Sequence, residues 1–181
     1  MNIEVVDNWL DPEFCDHLSY YILHCMPHYL DNYSDKANAN KDTLPFYHAE
    51  FGIDNFHIRY ICRKLSREVL KEECTFIRAY ANIQHKGMDG SFHRDDGDFT
   101  VSYMVTPSLK DSGHFEYIDN GEVKKIDFVQ NRIIIFEGKN LDHRGMAPKT
   151  MHPRATLALK VKLGSPIGSL SQGKVTLPNE K

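Results

Sequence analysis

The sequence predicts a mainly β fold of the sandwich or jelly-roll type, with helices confined to its N-terminal end. Two observations lead to this fold class. From residue 74 onward, six short segments rich in β-branched and aromatic residues alternate with turn-forming segments. Before residue 74, apolar residues recur at helical spacing instead. Strands that follow helices in this order are typical of a sandwich or jelly roll with supporting helices.

The N-terminal end contains two predicted helices and a long loop. The first helix begins at Asp11, which can cap it, and Pro12 suits its first turn. Pro27 marks its end. Residues 28–52 are polar and irregular, which predicts a surface loop, and a second helix is expected over residues 54–72. The loop is aromatic enough to be a substrate lid, although simple surface packing explains it equally well.

The predicted strands follow one another at short intervals, and the Asn120-Gly121 pair is a strong signal for a two-residue hairpin turn. We expect a single domain over residues 1–181. In it, residues 1–73 supply the helices and the long loop, residues 74–163 form the β core, and residues 164–181 are a Gly/Ser-rich tail. The six strand segments are CTFIRAYANIQ, FTVSYMV, HFEYI, VKKIDF, RIIIF and ATLALKVKL.

Composition excludes several functional classes. A length of 181 residues is enough for a substantial core without disulfides, and the four cysteines lack CxxC spacing, which indicates free thiols. The net charge of -3 gives no long-range attraction to nucleic acid or an anionic membrane, so neither is an expected partner. No signal peptide and no apolar run of about 20 residues is visible. We therefore expect a cytoplasmic protein without a membrane segment.

An H-x-D motif and a later histidine form the chemical centre of the sequence. His93 and Asp95 are two residues apart in extended chain and therefore project to the same side. His143 follows after the strand segment RIIIF and completes a set of two imidazoles and one carboxylate. This set is the facial triad of non-haem iron(II) oxygenases, which leaves three coordination positions open. Two of these suit a chelating oxoacid, and the third suits O2.

Four further residues are candidates for holding the oxoacid. Arg154 opens the last strand, where a guanidinium can pair bidentately with a distal carboxylate. Thr156 faces the same side two residues later. Tyr80 and Tyr103 lie on strands that flank the H-x-D motif, so their phenols can reach the same ligand, although core tyrosines are common.

Each of these pieces is weak when taken alone. An isolated H-x-D arises by chance in many chains, and a histidine in a strand is often a hydrogen-bonded structural residue. The full order is much more specific: H-x-D, strands, histidine, arginine and a final strand, all within one β-rich region.

With these motifs, the chain resembles the prolyl 4-hydroxylase-like branch of the Fe(II)/2-oxoglutarate-dependent dioxygenase superfamily. The likeness covers most of the chain: VVDNWLDPEFCDHLSYYI at the start, RAYANIQHKGMDGSFHRDDG around the H-x-D, SGHFEYID, and NRIIIFEGKNLDHRG around the distal histidine. The resemblance implies a double-stranded β-helix, the jelly-roll core of cupin-like proteins, with helices against one sheet.

The resemblance also assigns roles to the residues. His93, Asp95 and His143 would bind Fe(II), Arg154 would anchor 2-oxoglutarate, and Tyr80 and Tyr103 match positions where relatives contact it. Because the gap from His143 to Arg154 is longer than usual in the family, Lys149 is a rival anchor. We prefer Arg154, which opens a strand, to Lys149, which lies in a Pro-flanked turn.

The implied reaction uses O2 and 2-oxoglutarate, releases succinate and CO2, and hydroxylates an unactivated C–H bond. Peptidyl or free proline is the substrate favoured by the resemblance, so the expected partner is a protein, peptide or small molecule. Ascorbate binding, as a reductant, is a further expectation.

Two alternatives stay open. One is a nucleic-acid demethylase of the AlkB type, although the last strand, RATLALK, lacks that group's asparagine and has Lys160 in place of its second arginine. The other is a non-catalytic jelly-roll module that holds a metal such as zinc.

Overall fold

Ten strands and two helices make up the part of the chain that the computed structural model describes, namely residues 3–32, 44–52 and 54–164. The helices are Pro12–Tyr20 (α1) and Phe56–Lys64 (α2), continued by π-helical segments over Tyr21–Cys25 and Leu65–Leu70. The strands are Glu4–Val6 (β1), Tyr29–Asn32 (β2), Phe46–Glu50 (β3), Cys74–Gln84 (β4), Phe99–Met104 (β5), His114–Asp119 (β6), Glu122–Asp127 (β7), Ile133–Phe136 (β8), His143–Met146 (β9) and Arg154–Leu163 (β10).

Both helices begin at polar caps. The Asp11 carboxylate accepts hydrogen bonds from the backbone N–H groups of Glu13 and Phe14 at 2.9 and 3.3 Å, which confirms the predicted start of α1. Asn55 caps α2 in the same way. Such caps stabilise a helix by about 1 kcal/mol each.

The strands form two antiparallel sheets. The larger has the order β1-β8-β5-β10-β4-β3-β2, and the smaller has the order β7-β6-β9. Strand β10 is central because it pairs with β4 on one side and with β5 on the other. This mainly β architecture, with two sheets facing each other, is the jelly-roll fold that the sequence predicts.

The larger sheet has a different environment on each face. One face packs against the helices and forms the main core, to which β10 contributes Ala155, Leu157, Leu159 and Val161. The other face lies opposite the smaller sheet, and a second apolar cluster fills part of the space between the sheets. The members of this second cluster are Met104, Phe115, Phe128, Ile134, Phe136 and Leu141. The remaining space between the sheets is a cavity.

The turn at Asn120-Gly121 is confirmed. Both residues have positive φ, 51° and 82°, and they join β6 to β7 in a tight hairpin. Two central residues with positive φ define the type I′ turn, whose twist matches that of the paired strands.

The prediction that residues 28–52 form a loop is wrong in part, because β2 and β3 lie in this range and extend the larger sheet. Residues 33–43 between them fall outside the described residues, as does the predicted tail beyond Gly164. Strands β1 and β9 were not predicted either.

Across the described ranges, no helix combines the length and the apolar character that crossing a membrane requires.

Candidate active site

The three predicted metal ligands meet at one point of the cavity between the sheets. One donor atom from each of His93, Asp95 and His143 lies within 4.8 Å of the other two. His143 begins β9, and the backbones of His93 and His143 exchange two hydrogen bonds of 3.0 Å, which fix the H-x-D segment to that strand. The Asp95 N–H donates to the Gly138 carbonyl at 3.0 Å. Three separate stretches of chain are thereby held in register.

Both imidazoles are oriented by the backbone. His93 Nδ1 lies 2.9 Å from the Ser91 carbonyl oxygen, and His143 Nδ1 lies 3.0 Å from the Leu141 carbonyl oxygen. A carbonyl oxygen only accepts hydrogen bonds, so each Nδ1 carries the proton and each Nε2 presents a lone pair. The same arrangement orients histidines that bind metals. Burial and the neighbouring His143 also lower the pKa of His93, which favours its neutral form.

The lone pairs of both imidazoles face a carboxylate. His143 Nε2 lies 3.2 Å from Asp95 Oδ2, and His93 Nε2 lies 3.7 Å from Asp95 Oδ1. Burial alone would raise the pKa of Asp95, but the basic groups around it, the Lys160 ammonium among them, outweigh burial and hold this pKa well below its usual value, so Asp95 is an anion. Lone pairs and a carboxylate repel one another unless a cation lies between them. The donor set therefore fits a divalent metal ion.

Arg154 lines the same cavity as the triad, at the start of β10. It is 4% exposed, its Nε donates to Gln84 Oε1 at 2.9 Å, and one terminal nitrogen donates to the His114 carbonyl at 3.1 Å. Burial lowers the pKa of Arg154 to about 10, which leaves it charged at neutral pH. It forms no salt bridge with any carboxylate among the residues that the structure describes. A buried cation without a counter-ion is costly, so this part of the cavity fits an anionic group of a ligand.

The other residues predicted to hold the oxoacid have different positions. Tyr80 and Thr156 line the cavity together with Arg154, as expected. Burial raises the pKa of Tyr80 well above its usual value, so it is a neutral phenol. Lys149, the rival anchor, is exposed and lines a different cavity, so it does not face the triad.

The structure contradicts the predicted role of Tyr103. Its side chain lies on the helix-facing side of β5, in the main core, and does not line the cavity. Its hydroxyl donates to Asn131 Oδ1 at 3.0 Å, and its ring meets Trp9 edge-on. Tyr103 is therefore a structural residue, and we remove it from the candidate site.

Two residues that were not predicted as site residues line the cavity. Lys160 is buried in the cavity wall and contacts Asp95, and Gln84 holds Arg154. The strand alternation that placed Thr156 beside Arg154 would also have placed Lys160 there, because residues 154, 156, 158 and 160 share one face of β10. Burial lowers the pKa of Lys160, whereas the Asp95 carboxylate opposes this shift.

The cavity has a volume of about 340 Å³, and its wall changes character along its length. Phe115 and Phe136 pack against the His143 ring, with ring centroids 5.5 and 4.6 Å away, and shield it from water. The part formed by β2, β3 and β4 is polar and contributes Asn32, His48, Glu50, Arg78 and Asn82.

No family model matches the sequence, and no curated protein does. Solved structures do match. A prolyl hydroxylase from Trichoplax adhaerens, in complex with a hypoxia inducible factor oxygen degradation domain peptide fragment, is 16% identical, with a TM-score of 0.66 over 87% of this chain and 82% of its own. The viral collagen prolyl hydroxylase of Paramecium Bursaria Chlorella virus-1, in a 2-oxoglutarate complex, is 17% identical, with a TM-score of 0.64 over 89% and 96%.

A third structure, HygX from Streptomyces hygroscopicus with nickel, 2-oxoglutarate and hygromycin B bound, is 8% identical, with a TM-score of 0.66 over 88% of this chain and 82% of its own. At these identities the likeness establishes a fold. This chain has the fold of the 2-oxoglutarate-Fe(II) oxygenases, which the two prolyl hydroxylases and HygX share.

Proposed function

We propose that this chain, with the fold of the 2-oxoglutarate-Fe(II) oxygenases, is an Fe(II)- and 2-oxoglutarate-dependent dioxygenase that hydroxylates an unactivated C–H bond. One observation carries the proposal. A single cavity is lined both by a His-Asp-His triad and by the buried guanidinium of Arg154, which pairs with no carboxylate of the described residues. A divalent ion and a dicarboxylic oxoacid together satisfy the triad and the guanidinium, whereas a metal alone leaves Arg154 uncompensated.

The residues divide the binding work between them. His93, Asp95 and His143 would hold the iron, and Arg154 with Thr156 would hold the distal carboxylate of 2-oxoglutarate. When bound, the iron supplies the oxidative chemistry with O2 and the oxoacid, which leaves as succinate and CO2. The chain itself orients these reactants and keeps water out, chiefly through Phe115 and Phe136 beside His143.

Gln84 has a supporting role in oxoacid binding. Its amide nitrogen donates to the carbonyls of Met88 and Gly145 at 2.6 and 3.2 Å, so its orientation is fixed and its oxygen points at Arg154 Nε. With Nε and one terminal nitrogen occupied, the guanidinium is held in one orientation. A fixed guanidinium costs less entropy when it pairs with a carboxylate.

For the substrate we propose proline, either in a peptide or as the free amino acid. Two of the three structures compared above are prolyl hydroxylases, which supports this choice. The polar mouth formed by residues such as His48, Glu50 and Arg78 accepts a substrate with polar flanking groups. A peptide backbone and a zwitterionic amino acid both meet that requirement. Ascorbate as a reductant stays a prediction.

The test is an anaerobic titration of the metal-free protein with Fe(II) and then 2-oxoglutarate, which records the visible charge-transfer band of the chelate. We expect a band in the wild type, no band in His143→Ala, and a band in Arg154→Met only at much higher 2-oxoglutarate. Lys149→Met is the matched control and should behave as the wild type does. Folded, metal-loaded wild type without a band would contradict the proposal and favour a non-catalytic metal-binding module.

The substrate is tested separately, under aerobic conditions. Proline-rich peptides and free proline are each incubated with the enzyme, and hydroxyproline and succinate are measured by mass spectrometry. If neither substrate raises succinate above the amount formed without substrate, the proline proposal is contradicted. The proposed reaction class is not affected by that result.

A further inference from the structure

Lys160 is a lysine buried in the wall of the active-site cavity. It lies on β10, on the same face as Arg154, and is 2% exposed. Its ammonium reaches Asp95 Oδ2, with which it forms an ion pair. Burying an ammonium is costly without a partner. Its partner here is the one carboxylate of the triad, so its position bears directly on the metal site.

The two oxygens of Asp95 are in different surroundings. Oδ2 accepts hydrogen bonds from the Lys160 ammonium and from the Thr100 hydroxyl, the latter at 2.8 Å. These two donors fill the two lone-pair sites of that oxygen. The imidazoles do not donate to it, because their Nε2 atoms carry lone pairs. Oδ1 accepts no hydrogen bond from the described residues and is the oxygen nearest His93.

We propose that Lys160 is a positioning residue for the metal: together with Thr100 it occupies one oxygen of Asp95, so that this carboxylate binds the ion through its other oxygen alone. The proposal rests on the proposed function. An octahedral ion held by two imidazoles and one oxygen would keep three positions open for other ligands. If Asp95 bound through both oxygens, one of these positions would be lost.

Lys160 also prepares the site before the metal arrives. Its charge balances that of Asp95, and its side chain spans the cavity wall from the central strand of the larger sheet. The backbone of Asp95 is fixed by a hydrogen bond from its N–H to the Gly138 carbonyl. Both the backbone and the side chain of Asp95 are thus held in place, and metal binding requires little rearrangement.

The experiment compares Lys160→Met with wild type, using Co(II) as a probe of coordination and Fe(II) with 2-oxoglutarate as a probe of the open positions. We expect Lys160→Met to bind Co(II) with an altered visible d–d spectrum, because Asp95 becomes free to chelate. We also expect its anaerobic charge-transfer band to need about tenfold more 2-oxoglutarate, within the range that lost outer contacts to metal ligands produce.

The matched control is Lys162→Met, which makes the same substitution at an exposed position two residues along β10. It should leave both spectra unchanged. A folded Lys160→Met protein with the wild-type Co(II) spectrum and the wild-type 2-oxoglutarate requirement would overturn the proposal.

Thr100 provides a second test in case Lys160→Met does not fold. Thr100→Val removes the other donor to the same oxygen and should change both spectra in the same direction, whereas Thr100→Ser, which keeps the hydroxyl, should restore them. Unchanged spectra in folded Thr100→Val would overturn the proposal.

The two proposals fail in different ways. Wild type that binds Co(II) but gives no band with Fe(II) and 2-oxoglutarate contradicts the dioxygenase function. The Co(II) spectra of the variants still decide the role of Lys160 in that case.

Discussion

Two buried carboxylates, Asp95 in the cavity and Glu116 in the smaller sheet, have similar neighbours but differ in how many of their oxygens accept hydrogen bonds. The side chain of Asp95 is 5% exposed and that of Glu116 is 6% exposed. Both lie among basic groups, and both have a histidine within hydrogen-bonding range. A search for clusters of histidine and acid would select either one.

Glu116 has both oxygens satisfied. His114 Nε2 lies 2.7 Å from Oε1, with Lys125 at 3.4 Å, and Arg144 donates to Oε2 through two nitrogens at 2.7 and 2.8 Å. Here His114 uses its Nε2 toward the carboxylate. No acceptor in this cluster is left for an added cation, so it is a structural ion cluster.

Asp95 differs in two respects. Its Oδ1 has no donor among the described residues, and its two histidines present lone pairs because their Nδ1 atoms are committed to carbonyls. The comparison teaches that a metal site is recognised by acceptors left unsatisfied, and that the number of histidines and acids is a poor guide. Strand β9 separates the two centres, since His143 points to one and Arg144 to the other.

The largest effect expected from this difference is on metal affinity. Asp95→Asn should weaken Co(II) or Fe(II) binding at least about 100-fold, beyond the usual effect of losing an outer contact, because it removes a ligand and its charge. Glu116→Gln should change the metal affinity by less than about twofold, since the oxygens of Glu116 already bond to neighbouring side chains. Competition with a chromophoric chelator measures both. Equal losses in the two variants would remove the distinction between the centres.

The next effect is on stability. Burial alone would raise the pKa of Glu116, but His114 and Arg144 outweigh it and lower the pKa from 4.5 to about 2. Because the pKa of Glu116 is lower in the folded protein than in the unfolded chain, its ionised form stabilises the fold, and it does so fully above pH 4.5. This contribution is lost as the pH falls toward 2. Glu116→Gln should therefore reduce the free energy of unfolding by about 3 kcal/mol at pH 7.

Urea unfolding from pH 7 down to pH 3 measures this difference. The difference in the free energy of unfolding between wild type and Glu116→Gln should become smaller below pH 4.5. A difference that stays constant with pH would show that the ionised form of Glu116 contributes nothing to stability.

A smaller effect connects β9 to oxoacid binding. A Cβ on Gly145 would collide with the Arg154 guanidinium and lie 3.3 Å from Gln84 Oε1. Gly145→Ala should displace the guanidinium and weaken 2-oxoglutarate binding about tenfold, because a small misplacement of a binding group is costly. Metal affinity should not change. Gly52→Ala, where a Cβ meets nothing within 4 Å, is the control for the anaerobic titration. Unchanged oxoacid binding in Gly145→Ala would argue against Arg154 as the anchor.

The smallest effect is expected at the edge of the Glu116 cluster. Lys125 is 60% exposed and lies 3.4 Å from Glu116 Oε1, so solvent screens the pair. Lys125→Ala should cost less than about 0.5 kcal/mol in urea unfolding. A loss above about 1 kcal/mol would mean that the cluster depends on its exposed member as well as on Arg144.

The fold could be predicted from sequence where strands are long and apolar. All six predicted strand segments became strands, with β4 matching its segment CTFIRAYANIQ throughout. Strand β3 was missed for a physical reason: it directs polar residues such as His48 and Glu50 into the cavity, so its pattern resembles a loop. Strands β1 and β9 have three and four residues and are too short to show alternation.

The candidate site could be predicted where its residues are close in sequence. His93 and Asp95 share a side because they are two residues apart. Tyr103 was misplaced because all six residues of β5 are wholly or partly buried. Both faces of this strand are covered, so the sequence cannot show which face meets the cavity. Lys160 lies six residues beyond Arg154, and only the pairing of β10 in the sheet shows that its side chain reaches Asp95.

Strand β10 has a consequence for how this protein can change over evolution. Its residues alternate between the helix-side core, as Leu157 and Leu159 do, and the cavity, as Thr156 and Ala158 do. Substitutions at the cavity positions can alter ligand preference while leaving the core intact. A one-residue insertion would instead exchange the two faces and destroy stability and activity together. New specificities are therefore expected to arise by replacement at every second position of β10, and not by changes in its length.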